Sequence, residues 1–289
     1  MSYQIIETHR EGGSVERLCG ALGVSVSGYY AWRIRPPSQH QQTDAVLLEA
    51  IQAAYHAGRG LYGSPRIHAA LRQQGLCCSR KRVARLMRQH GIHSRRRPKR
   101  RVRTTDSRHN RMVAPNLLKR DFSADAPNEK WVGDILGIWT DEGWLYLAAL
   151  LDTYSRLIVG WAMSVYRDEA LVTDALRMAL ARRELPEDTD LIQHTDRGSQ
   201  YTADDYLALL KGYGIQVSMS GKGNPYDNAM MESFFSTLRA QLTDLERFAT
   251  RQLARTAVFE FIEVFYNRQR LHSSLGYRSP VAHETAYLS

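Results

Sequence analysis

An aspartate in the middle of an apolar run is the residue that most restricts how this chain can fold. Trp131-Val132-Gly133-Asp134-Ile135-Leu136 reads as a buried strand, and an ionised carboxylate there needs a cation or strong hydrogen bonds. Two further acids sit in equally distinctive surroundings. Asp196 ends the short apolar run Leu191-Ile192-Gln193-His194-Thr195, and Arg197-Gly198-Ser199-Gln200 turns the chain after it. Glu232 follows Gly223-Asn224-Pro225-Tyr226-Asp227-Asn228 in a helical pattern. The separations are 196 − 134 = 62 and 232 − 196 = 36 residues. Each acid has an ordinary reading: an edge-strand residue facing water, a turn aspartate, an exposed helix position. Together, a strand centre, a strand end and a helix can converge on a pair of divalent cations. Hard carboxylate oxygens suit Mg²⁺, with Mn²⁺ as a substitute, and two ions can hold both oxygens of an in-line phosphoryl displacement. Asp134, Asp196 and Glu232 are therefore the candidate catalytic and metal-ligating residues. Asp152 competes in the same region, but Asp152-Thr153-Tyr154-Ser155 reads as a turn whose first residue bonds the backbone.

The surrounding pattern predicts an α/β core. Lys130–Trp139, Trp144–Leu151 and Leu157–Met163 read as three strands in a meander. A helix over Asp168–Arg183, strand Leu191–His194, helix Ala203–Tyr213 and strand Ile215–Met219 follow. Long helices from about Asn224 and about Thr250 complete the series. The longest strongly apolar run, Trp144 to Leu151, is too short to span a bilayer. Met1-Ser2-Tyr3-Gln4 lacks a signal-peptide pattern, and Cys19, Cys77 and Cys78 form no disulfide framework or zinc-ligand spacing. A reducing cytoplasm is the simple expectation. His194, beside Asp196, reads either as a group supporting that acid or, at least as well, as a strand histidine satisfied within the core.

Charge divides the chain unevenly. Residues 1–127 hold 23 Lys and Arg against 8 Asp and Glu, and residues 128–289 hold 16 against 22. A basic front joined to an acidic rear points to a polyanion partner; nucleic acid fits both the arm and the three acids, whereas a membrane fits only the arm. In the front, Ser14 and Ser25 can cap two short helices separated by Gly23, a helix-turn-helix outline over residues 1–36. A second helical module spans 43–93, with Ser64-Pro65 opening one helix and Ser79 the next. In that last helix Val83, Leu86 and Met87 share a face, while Lys81, Arg82, Arg85 and Arg88 lie opposite. The basic face is either simply solvated or a DNA contact; four cations without an acid favour DNA. A linker over 94–127 contains Arg95-Arg96-Arg97-Pro98-Lys99-Arg100-Arg101-Val102-Arg103, seven cations in nine residues, suited to phosphate. Lys222, Asn224 and Asn228 approach Glu232 and Arg239 follows it, so these four are also candidate DNA contacts. Residues 128–289 complete the chain as catalytic core with C-terminal helices.

These motifs carry a resemblance. Three acids at this spacing, together with His194-Thr195-Asp196-Arg197-Gly198-Ser199-Gln200-Tyr201, Asn224-Pro225 and Asn267-Arg268-Gln269-Arg270-Leu271-His272, resemble the integrase-type core of bacterial insertion-sequence transposases. The closest likeness is to OrfB, the catalytic reading frame of the insertion-sequence family numbered three. Gly133 departs from the family, which more often has a polar residue there. The resemblance implies a ribonuclease H-like core with a mixed five-stranded sheet, and Mg²⁺-dependent 3′-end cleavage and strand transfer at terminal inverted repeats. It further implies double-stranded DNA as substrate, a small OrfA partner or fusion, and an assembly of several copies on DNA near the bacterial nucleoid. Two other classes stay open on the residues alone: a structure-selective metal-dependent nuclease, and a domesticated helix-turn-helix regulator. The first would need fewer DNA-reading modules, and the second would have no reason to keep all three acids.

Overall fold

A computed structural model describes residues 2–95, 114–186, 189–221, 228–242 and 247–288. Chain contacts divide it into two compact units, Met1–Ala50 and Ile51–Ser289.

In the first unit, α1 (Ser2–His9), α2 (Val15–Ala21) and α3 (Val26–Ile34) enclose a small core of Ile6, Cys19 and Tyr29. The helix starts divide by chemistry. Ser25 Oγ accepts from the Gly28 amide at 3.1 Å and caps α3, whereas Ser14 donates to Glu16 and makes no cap bond. Tyr29 donates to Glu7 at 2.5 Å, which fastens α3 to α1. The next helix, α4 (Gln39–Ala57), crosses from this unit into the second.

The second unit continues with α5 (Ser64–Gln73) and α6 (Arg80–Gln89). Gly63 rather than Ser64 is the α5 cap, so Ser64-Pro65 forms the first turn. Ser79 Oγ caps α6 by accepting from Arg82 N at 3.2 Å. On α6, Val83, Leu86 and Met87 are buried; Lys81 and Arg88 are exposed, and Arg82 and Arg85 are half-buried.

The core is a mixed five-stranded sheet: β1 (Lys130–Thr140), β2 (Gly143–Asp152), β3 (Ile158–Ser164), β4 (Ile192–Thr195) and β5 (Gln216–Met219), in spatial order β3-β2-β1-β4-β5. β1, β2 and β3 are antiparallel neighbours; β4 and β5 run parallel to β1. This is the arrangement that the resemblance implied. Helices α7 (Glu169–Arg182) and α8 (Asp204–Gly212) cover the face bearing Trp131, Ile135 and Leu150. The α7–β3 approach is close because residue 160 is glycine: a Cβ there would stand 2.3 Å from the Ala175 carbonyl oxygen. Asp168 caps α7 by accepting from Leu171 N at 3.1 Å.

Three further helices follow: α9 (Ala229–Leu242), α10 (Arg251–Phe259) and α11 (Pro280–Leu288). Thr250 caps α10, which runs on into a π-helical turn over Glu260–Tyr266. Buried Asn267 then braces the sheet edge. Its Oδ1 accepts from Ile158 N at 3.0 Å and its Nδ2 donates to Ile158 O at 3.1 Å, satisfying backbone groups that an edge strand leaves open.

Helix α5 and the turn before it pack onto this same C-terminal segment. Arg59 pairs with both oxygens of Glu260 and lies 4.5 Å over the Phe265 ring. Tyr62 Oη accepts from Leu271 N at 2.8 Å, and Gln73 Nε2 donates to Tyr277 O at 3.0 Å. Among the described residues no helix is long and apolar enough to cross a membrane, and all three cysteines are free.

Candidate active site

Asp134 stands on the central strand β1, opposite Ala149 of β2. Alternation along β1 turns it away from the α7–α8 face, and its Oδ1 accepts from the next amide, Ile135 N, at 2.7 Å. Asp196 follows directly on the carboxyl end of β4, where open α/β sheets place their ligands. Its Oδ1 accepts from Gly198 N at 2.9 Å, which turns the chain beneath the carboxylate. Because β1 and β4 are parallel neighbours, the two acids come to one end of the sheet. Glu232 lies in the first turn of α9 with an exposed side chain.

The electrostatics record this grouping. Asp134 keeps some solvent contact but is enclosed closely enough that its charge is poorly hydrated. That desolvation, then the Asp196 carboxylate, and more weakly Glu232, push its pKa up to about 7. The Ile135 amide and the Arg167 guanidinium act in the opposite sense. Beneath the pair, buried Tyr201 has its pKa raised well above the usual phenol value, by burial and by both aspartates. Asp134 and Asp196 therefore form a pair, and Glu232 acts on it from further away. Among the described residues, no three His, Cys, Asp or Glu side chains are gathered closely enough to hold a metal ion.

Asn228 connects the third acid to the first. It is buried, and its Nδ2 donates 3.2 Å to the carbonyl of Gly133, the residue before Asp134. The side chain that was expected to approach DNA instead braces the start of α9 against β1. Gly133 is closely packed: a Cβ there would meet Leu150 Cδ2 at 2.8 Å and Gln193 Nε2 at 3.0 Å, so the ends of both side chains would have to shift.

The competing residues are accounted for. Asp152 is buried and accepts from Asn128 N at 2.7 Å, Ser155 N at 2.9 Å and Ser155 Oγ at 3.2 Å, which makes it the turn residue that its motif predicts. His194 is a core histidine whose Nδ1 meets Ser218 Oγ at 2.8 Å across β4 and β5. Arg167 was not singled out by sequence. Its only signal is its place in Tyr166-Arg167-Asp168-Glu169, just before the α7 cap.

The candidate DNA contacts divide. Lys81, Arg82, Arg85 and Arg88 line α6, with Arg85 Nη1 donating 2.9 Å to Gln89 Oε1. Arg95 is exposed, and its amide donates 2.8 Å to Gly60 O. Arg239 is half-buried on α9. Arg96, Arg97, Lys99, Arg100, Arg101, Lys222 and Asn224 lie outside the described residues.

Residues 124–225 match a family model described as "Integrase core domain", residues 213–280 match a second model of the same description, and residues 41–100 match an "HTH-like domain". These matches, on the fold described above, define an integrase-core enzyme with a helix-turn-helix-like module. The chain is 42% identical over 296 aligned residues, covering all of both proteins, to "Transposase InsF for insertion sequence IS3A" of Escherichia coli strain K12. It is 44% identical over 270 residues to "Insertion element IS600 uncharacterized 31 kDa protein" of Shigella sonnei, covering 93% of this chain and 98% of that one. Among solved structures it is similar to the HTLV-2 integrase catalytic core domain in complex with magnesium. That likeness has 14% identity and a TM-score of 0.42, over 56% of this chain and 99% of that one. The chain belongs to the IS3 family of insertion-sequence transposases, and its partner is DNA.

Proposed function

We propose that this transposase performs metal-dependent 3′-end cleavage and strand transfer at the terminal inverted repeats of its insertion sequence, with Asp134, Asp196 and Glu232 as the acting carboxylates. The observation that carries this reading is the Asp134–Asp196 pair, in which burial and the neighbouring Asp196 carboxylate make the Asp134 charge hard to sustain. Such a pair is relieved by a cation. The donors are carboxylate oxygens without His or Cys, which fits Mg²⁺, with Mn²⁺ as substitute, better than zinc. Two such ions, when bound, supply Lewis-acid stabilisation of the attacking and leaving oxygens of an in-line phosphoryl displacement.

The chain's own residues do the rest. Asp134 is fixed by the sheet and Asp196 by its turn, so the first two ligands are set before substrate arrives. Glu232 is positioned through Asn228 and the first turn of α9. Arg167 tempers the negative field behind the pair. The attacking group is a water, and afterwards a DNA 3′-hydroxyl, so no covalent protein–DNA intermediate is required.

DNA would be held by Lys81, Arg82, Arg85 and Arg88 on α6, by the run from Arg95 to Arg101, and near the acids by Lys222, Asn224 and Arg239. In functional terms residues 1–36 and 43–93 would read DNA, 94–127 would follow its backbone and 128–289 would cut and join. A small OrfA partner or fusion, assembly of several copies on DNA, and action in the bacterial cytoplasm at the nucleoid belong to the same reading. The test is a strand-transfer assay with candidate end DNA in Mg²⁺, Mn²⁺, Ca²⁺ and chelator. Joined products are expected in Mg²⁺ and Mn²⁺ alone, and activity surviving exhaustive chelation would sink the mechanism.

A further inference from the structure

The motif Asn267-Arg268-Gln269-Arg270-Leu271-His272 is only partly explained by the brace that Asn267 makes on β3. Two of its other members, Arg270 and His272, wall a cavity of about 110 Å³ beside α9, together with Arg66 of α5 and Arg156 of the β2–β3 turn. Ser233 and Thr237 of α9 contribute hydroxyl groups to the same wall. At 100° per residue, Ser233 and Thr237 lie roughly 100–140° round the helix from Glu232, so this is a separate surface from the acid site.

Three guanidinium groups meet here with little to balance them. Arg270 is 6% exposed. Its Nη1 donates to Leu271 O at 3.3 Å and its Nη2 to Thr237 Oγ1 at 3.4 Å, both long, and its Nε is buried without a partner among the described residues. Arg66 Nε donates to the same Leu271 carbonyl at 2.8 Å. Among the described residues none of the three arginines is paired with a carboxylate; the charges acting on Arg270 and His272 are other arginines and tyrosines. Burial and the neighbouring arginines push Arg270 down to about 10 and hold His272 neutral, down to about 2. His272 Nε2 is likewise buried and unpartnered among the described residues. A buried like-charge cluster with open donors is costly unless an anion joins it.

We propose that the cavity bounded by Arg66, Arg156, Arg270 and His272 binds one tetrahedral oxyanion of the phosphate class, supplied as a DNA backbone phosphate or as a free anion. Guanidinium forks match phosphate oxygens with paired N–H donors, and the Ser233 hydroxyl adds a donor from a third direction, whereas Thr237 Oγ1 already donates to Ser233 O at 3.0 Å. The volume accommodates one such group or several waters. An open depression lined by Arg120, Ser123 and Ala229 shares Arg156, Met230 and Ser233 with the cavity, giving a route from solvent past the start of α9.

The experiment is thermal unfolding of the full chain against sulfate and inorganic phosphate at constant ionic strength, with chloride and acetate as controls. Sulfate and phosphate should raise the melting temperature saturably by about 2–4 °C, and the controls should not. Arg66→Gln and Arg156→Gln, both at half-buried positions, should fold and lose most of that rise, whereas Arg270→Gln risks misfolding and is not relied on. An equal rise in acetate, or a sulfate response unchanged in both variants, would overturn the proposal. A second arm separates the sources by DNA-binding anisotropy at the same ionic strength. If DNA phosphate is the ligand, sulfate weakens binding several-fold in the wild type and not in Arg66→Gln; equal binding in both assigns the site to a free anion.

Discussion

The acid pair at the sheet end and the arginine cavity beside α9 present the same physical problem with opposite sign. In each, charged groups of one kind are brought together by residues far apart in sequence, and in each one group is displaced from its ordinary titration by burial and like-charged neighbours. They differ in support. Asp134 and Asp196 rest on strands and backbone amides, 2.7 and 2.9 Å away, so the pair is rigid while its third member, Glu232, depends on Asn228 and a helix start. The arginines come from three separate segments and share one carbonyl, Leu271 O, between two of them. A sheet can hold like charges in place without a ligand; converging side chains hold them less firmly. Ligand binding should therefore change chemistry most at the first site and stability most at the second.

The largest expected effect lies at the acid pair. Asp134→Asn or Asp196→Asn should lower strand transfer on the order of 10³-fold or more, since on the proposed mechanism each removes a metal-ligand charge worth several kcal/mol in the transition state. Glu232→Gln should do the same while DNA binding persists. Near-normal joining by any one variant in Mg²⁺ would remove that residue from its role.

A smaller effect follows from pH. The native pKa of Asp134 is raised above its unfolded value of 3.8 to about 7, so the folded state binds the proton more tightly than the unfolded state. In chelator, stability should therefore fall as pH rises from about 4 to about 7, and Asp134→Asn should flatten that fall. Chemical denaturation across this window decides it: a wild-type slope that the substitution leaves unchanged would mean another group is responsible.

Packing predicts losses of similar or lesser size. Asn267→Ala removes both bonds to Ile158 and should cost about 1–3 kcal/mol. Gly133→Ala pushes a methyl group against Leu150 and Gln193 and should cost about 1–3 kcal/mol, with partial recovery when Gln193 is also shortened. Urea unfolding of the single and double variants measures both. The smallest change concerns the basic segment. Neutralising Arg95, Arg96, Arg97, Lys99, Arg100 and Arg101 should flatten the dependence of log affinity on log salt by about 0.9 per lost phosphate contact, on specific and random DNA alike. Changing Arg82 or Arg85 should instead reduce discrimination between the two DNAs, and equal loss on both would make α6 a backbone clamp.

Much of this could be read in the chain because its signals are local. The three meander strands fall within about a residue or two of their apolar runs, Ser25 and Ser79 cap the helices they precede although Ser14 does not, the helices expected from Asp168 and about Thr250 begin one residue later, and Asp152 makes the turn bonds its motif suggests. What could not be read depends on distant partners. Nothing periodic links Arg59 to Glu260 or Gln73 to Tyr277, some 200 residues away in each case. The arginine cavity gathers residues 66, 156 and 270; only Arg270 stands in a motif, and nothing in that motif points to the other two. Asn228 looked available to DNA because polar residues before a helix usually are, and its burial follows only once α9 is docked on β1. The π turn at Glu260–Tyr266 has no sequence marker.

The most direct test crosses the two sites in one experiment. Melting temperatures of the wild type, Asp134→Asn and Arg66→Gln would be measured at pH 7.5 and constant ionic strength, with added Mg²⁺ or added sulfate. Each ion should stabilise the wild type and fail only in the variant of its own site: Mg²⁺ should still act on Arg66→Gln, and sulfate on Asp134→Asn. Mg²⁺ stabilising Asp134→Asn as fully as the wild type would contradict the assignment of the acid pair as the cation site.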